Sequence, residues 1–140
     1  MPEDNLSSRV PDSLALQELY GETDSWIADL NFRLQEIRFY RKVTGHYLKS
    51  IDPETTDRVN EVQKLLAAIA AHHHNLEAEV LKYRQQLEQR LKDLQAEDGG
   101  EGNAIRDRHE RFQTGMHALD REFRELKDNI FDIAEDVFGE

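Results

Sequence analysis

The 140-residue chain contains no cysteine. That excludes disulfides, thiolate nucleophiles and cysteine-ligated zinc, and it leaves the redox setting open. Proline is scarce too, at positions 2, 11 and 53 only, so little beyond Pro11 obstructs long helices. No run of about 18 apolar residues occurs, so no membrane-spanning helix is expected. The opening residues MPEDNLSSRVPD lack the basic and apolar regions of a secretory leader, and the expectation is a soluble cytoplasmic protein. Basic side chains are outnumbered, 18 against 29 acidic ones, for a net charge of −11. A surface built to hold phosphates needs the opposite balance, so neither nucleic acid nor membrane is expected as a partner.

What the sequence does have is helical periodicity with clear punctuation. Ser50-Ile51-Asp52-Pro53-Glu54 reads as a helix end followed at once by an Asp N-cap with Pro in the first turn. EDGGEGN, residues 97–103, reads as a flexible loop in which Asn103 caps the next helix. Three helices follow, over about 13–50, 53–96 and 103–138, with residues 1–12 as a disordered N-terminal segment and 13–140 as one helical-bundle domain. Gly21 interrupts LALQELYGETD, so residues 13–20 are expected as a possible short extra helix.

The second helix carries Val59, Val62, Leu66, Ile69, His73, Leu76, Val80, Tyr83, Leu87, Arg90 and Leu94 in an unbroken alternation of three and four. The third does the same with Ile105, His109, Phe112, Met116, Leu119, Phe123, Leu126, Ile130, Ile133 and Val137. In the first helix the stripe reads Ile27, Leu30, Leu34, Ile37, Arg41, Thr44, Leu48 and Ile51, flanked by Trp26, Tyr40 and Tyr47. Short connections make consecutive helices antiparallel, so the expected fold is all-α, an up-down-up bundle with coiled-coil-like packing. In outline, the length and helix order resemble a spectrin-type repeat. That likeness implies architecture alone.

His72, His73 and His74 raise the question of a metal. Consecutive helical residues point about 100° apart, so the three cannot converge on one ion. His73 and Glu77 stand four apart and His74 and Glu77 three apart, spacings that can supply two ligands from a single helix. With the turns centred at residues 52 and 100, His73 falls level with Leu30 and Leu126, and His109 with Arg90, so no second helix offers ligands. None of the six histidines follows a glutamate by three positions, the spacing of di-iron carboxylate bundles. The expectation is no metal and no cofactor, with His72 and His74 solvated, and with Arg90 and His109 reaching water where the bundle frays.

No catalytic centre is legible. The hydroxyls sit mainly near the N-terminus and at helix ends, where capping accounts for them. The Gly-rich loop lies between two helices among acidic neighbours and would repel phosphate. The chain is expected not to be an enzyme.

Apolar residues on the wrong face are the strongest signal. Phe32, Phe39 and Val43 lie opposite the first helix's stripe, Ala67, Ala68 and Ala71 belong to a segment apolar all round, and Phe131 and Phe138 stand one step off the third stripe. Beside them, Arg38, Arg41 and Lys42 form a basic cluster and Asp132, Glu135 and Asp136 an acidic one. These residues predict a self-associating helical interaction or scaffold module, a homodimer or an adaptor for another helical protein, with the two charged clusters as its rim. The alternatives are a ligand- or metal-binding bundle using His73 and Glu77, and a monomer that covers the patch by folding residues 13–20 back at Gly21.

Overall fold

The computed structural model describes residues 2–48, 52–93 and 100–138. Three long helices account for almost all of them: α1 (Pro2–Lys42), α2 (Pro53–Lys92) and α3 (Gly100–Phe138). A one-turn π-helical segment, Val43–Tyr47, closes α1. The expected ends at residues 50 and 96, together with Ile51 and Leu94, lie outside the described residues.

The start of α2 forms as its residues dictate. Asp52 is extended, at φ −149° and ψ 166°, and its carboxylate accepts the Thr55 N–H at 2.7 Å ahead of Pro53 in the first turn. That donated hydrogen bond holds the Asp52 carboxyl below its ordinary pKa. The start of α3 differs from expectation. The helix begins at Gly100, so Asn103 lies inside its first turn rather than ahead of it.

α1 also departs from the predicted pattern. It begins at Pro2, within the segment 1–12 for which no structure is expected, and it runs through Gly21 without a break. Residues 13–20 therefore form neither a separate helix nor a fold-back. No other side chain approaches within 4 Å of the position a Gly21 Cβ would take, so one glycine on an open face costs too little to stop a long helix.

The buried seam of α1 runs through Leu16, Thr23, Trp26, Leu30, Ile37, Tyr40, Thr44 and Leu48. Trp26 and Tyr40 are core residues rather than flanks, whereas Ile27 and Leu34 are half-buried and Arg41 is exposed. The π-helical turn lies at the end of this seam. Leu48 N–H donates to Val43 O at 3.1 Å across the wider turn, and Thr44 and Leu48 stay buried through it. Thr44 donates its hydroxyl back to Tyr40 O at 2.8 Å inside that turn.

The seams of α2 and α3 are those the periodicity predicts, with Val59 to Leu87 and Ile105 to Ile133 buried in alternation. Register between them is fixed by three polar pairs, His72 with Glu122, Arg58 with Asp136, and Arg108 with Gln86. Each pair is symmetric about residue 97, three residues short of the expected centre. Leu126 is therefore not level with His73, nor Arg90 with His109. Gly115 marks a close approach of α2 and α3: a Cβ there would sit 3.2 Å from Leu76 Cδ1. α2 packs closely on both neighbours, while α1 and α3 meet chiefly through long side chains. Among the described residues no helix is long and apolar enough to cross a membrane.

Candidate interaction surface

The polar residues inside the bundle have partners within the bundle. His73 is buried and its Nε2–H donates to Leu30 O at 2.7 Å. That bond fixes the tautomer and leaves Nδ1 as the ring's acceptor nitrogen. His72 is not solvated as expected; it is half-buried and pairs with Glu122 of α3. Among the described residues no group of three or more His, Asp or Glu side chains is placed to hold a metal.

His109 is likewise buried rather than frayed into water. Its ring stacks on Trp26 with centroids 4.4 Å apart, and Tyr83 Oη lies 2.9 Å from Nδ1. Glu22 Oε2 stands 3.3 Å from Nε2, which favours the tautomer with the proton on Nε2, although that N–H is not in line for a hydrogen bond. Nδ1 then accepts from Tyr83. Burial pushes the Tyr83 phenol well above its ordinary pKa, Arg108 opposing weakly and Glu22 adding to the rise. The arrangement is a hydrogen-bonded polar layer. The buried hydroxyls of Thr23 and Thr44 donate to carbonyls of their own helix, Leu19 O and Tyr40 O.

On the outside, the α1–α3 seam is bridged by an ion network. Arg33 reaches Glu36 at 2.6 Å and Asp120 at 2.9 Å, Lys127 reaches Glu36 at 3.0 Å, and the Arg33 guanidinium lies over the Phe123 ring. Desolvation opposes the charge on Arg33, but the two carboxylates prevail and its pKa is raised.

This network locates the phenylalanines. Residues three and four apart are neighbours on a helix, so Phe32 and Phe39 both flank Glu36, and Phe131 flanks Lys127. Glu36 and Lys127 are in contact, so Phe39 and Phe131 stand level on opposite banks of the seam. Phe138 lies two turns beyond Phe131. The four are 62%, 60%, 62% and 65% exposed in the order Phe32, Phe39, Phe131 and Phe138, values unusual for phenylalanine. Val43, two turns past Glu36, is on the same side but half-buried against the core.

The other expected surface residues are divided among different faces. Ala67, Ala68 and Ala71 are exposed on the outer face of α2, across the bundle from the α1–α3 seam. Arg38 and Arg41 are exposed on the flank of α1 that carries Asp24 and Tyr20, the residues that pair with Arg84 and Glu88 of α2. Asp132 lines the α2–α3 groove with Arg58, Glu61 and Glu125, and Asp136 is paired with Arg58 there. Of the predicted rim, Lys42 and Glu135 are exposed and lie one turn from Phe39 and Phe131 respectively, each on the side of its phenylalanine away from the Glu36–Lys127 seam. Asp128, one turn before Phe131 and exposed, joins them and is absent from the predicted set. Its spacing to Phe131 could have revealed it.

No family model, curated protein or solved structure matches this chain, so the likeness to a spectrin-type repeat rests on outline alone.

Proposed function

We propose that the protein is a cytoplasmic, non-enzymatic helical interaction or scaffold module that works by self-association, as a homodimer. The observation that carries this reading is the set of four phenylalanines, each more than half exposed, three of them bordering one seam of the bundle. Together they present roughly 400 Å² of aromatic surface, the size of patch that marks an interaction site rather than ordinary exposure. The well-sealed core supports the reading further, since the phenylalanines are not needed inside it. A role for His73 and Glu77 in holding a metal has no comparable support, because among the described residues no group of three or more His, Asp or Glu side chains is placed to hold one.

Light scattering after size exclusion tests the proposal. The expected mass is twice the 16.4 kDa of one chain. A single-chain mass throughout the micromolar range would refute it.

A further inference from the structure

We propose that the α1–α3 seam is occupied by the same seam of a second copy, with the two bundles side by side and parallel, so that α1 of each lies against α3 of the other. This rests on the self-association reading and adds to it the face used and the orientation.

The face follows from what is exposed where. Phe32, Phe39, Phe131 and Phe138 all belong to α1 and α3, toward the C-terminal ends of both. The outer face of α2 offers Ala67, Ala68 and Ala71, whose methyl groups are too small to anchor an interface alone. α1 and α3 are also the pair that packs least closely, leaving a furrow between their outer surfaces. From Phe32 to the level of Phe138 that furrow is about 25 Å long at 1.5 Å per residue, and two helices make it about 20 Å wide. Two such faces bury on the order of 1,000 Å² in total, the lower bound for a specific interface.

The orientation follows from charge. Two-fold packing of the furrow on itself has two solutions. In one, the bundles are antiparallel and α1 meets the partner's α1. Centred on the phenylalanine patch, this sets Lys42 near its own copy and Asp128 and Glu135 near theirs. In the other, the bundles are parallel and α1 meets the partner's α3. Phe39 then packs against the partner's Phe131, the residue level with it, and Lys42 falls between the partner's Asp128 and Glu135, which flank that phenylalanine by one turn each. The parallel solution thus surrounds Lys42 with opposite charge, whereas the antiparallel one sets it near its own copy.

The absence of cysteine makes the test clean, since an introduced thiol is the only one in the chain. Phe39→Cys and Phe131→Cys chains are prepared singly and as a mixture, then treated with a dimaleimide about 10 Å long, the interaxial distance of packed helices. The expected result is a covalent dimer in the mixture and little from either variant alone. Phe39→Cys cross-linking to itself would overturn the orientation, and Ala71→Cys cross-linking to itself would overturn the face. A non-covalent dimer with no cross-link at any of these positions overturns the seam but leaves self-association standing; a monomeric wild type removes both. Charge reversal gives a second, independent readout. Lys42→Glu is expected to weaken the dimer by about threefold to tenfold, for two rim contacts. Adding Asp128→Lys and Glu135→Lys should restore it, and failure to restore would count against the parallel arrangement.

Discussion

Among the described residues, Tyr83 and His109 hold the one polar layer in which a core imidazole depends on a single side-chain donor. Phenylalanine at position 83 keeps the ring and leaves Nδ1 buried without a partner, a loss of about 1 to 3 kcal/mol. Urea denaturation of Tyr83→Phe should show this as a lower midpoint with an unchanged slope. The same phenol gives a pH signature. Its folded pKa is raised above the ordinary value of 10.0, so the stability that its neutral form contributes is complete below about pH 10 and is lost as pH rises past that point. Wild-type stability should therefore fall with pH above about 10, and Tyr83→Phe should fall less steeply; equal slopes would show that the phenol is no more protonated in the folded chain than in the unfolded one. Of this layer the sequence reveals only that His109 and Tyr83 occupy core positions. Their contact depends on register, and a turn placed three residues late pairs His109 with Arg90 instead. His72 was hidden for the same reason, since its partner Glu122 is identifiable only once α2 and α3 are aligned.

At the scale of elements, the two glycines inside helices make opposite predictions. Gly21 lies on an open face, so Gly21→Ala should stabilise the bundle by about 0.5 to 1 kcal/mol through helix propensity and reduced unfolded-chain entropy. Gly115 faces Leu76 at a distance that a methyl group would fill, so Gly115→Ala should give a smaller gain or a loss, depending on how far Leu76 can move. Thermal melts of the two variants side by side decide this, and equal gains would mean that α2 and α3 are not in close contact at Gly115. The helices themselves were legible because α2 and α3 keep one apolar period throughout and Asp52-Pro53 is an unambiguous start. The seam of α1 was less so. Its core mixes Thr23, Trp26, Tyr40 and Thr44, while Ile27 and Leu34 mimic a stripe one position away, and no local residue pattern announces the π-helical turn at its end. Gly21 misled for the opposite reason: a local propensity cost was outweighed by packing on either side of it.

At the scale of the molecule, the exposed phenylalanines were visible in the sequence as apolar residues off the seam, but their grouping was not. Which bank of a helix a residue occupies depends on where its neighbours lie, and the Arg33–Glu36–Asp120–Lys127 network supplies that information. It gathers Phe32, Phe39 and Phe131 at one seam and separates them from the α2 alanines, from Arg38 and Arg41, and from Asp132 and Asp136. The central claim is that self-association runs through that seam. Sedimentation equilibrium over a dilution series, comparing wild type with Phe39→Asp and Ala71→Asp, tests it most directly. Phe39 is largely exposed within one chain, so the aspartate should leave the helical melt nearly unchanged. At a dimer interface it would bury an unpaired charge at a cost of several kcal/mol, enough to raise the dissociation constant by about a hundredfold or more. The prediction is a wild-type dimer, a Phe39→Asp monomer and an Ala71→Asp dimer. Dimers of equal strength for wild type and Phe39→Asp, or a dimer broken by Ala71→Asp alone, would contradict it.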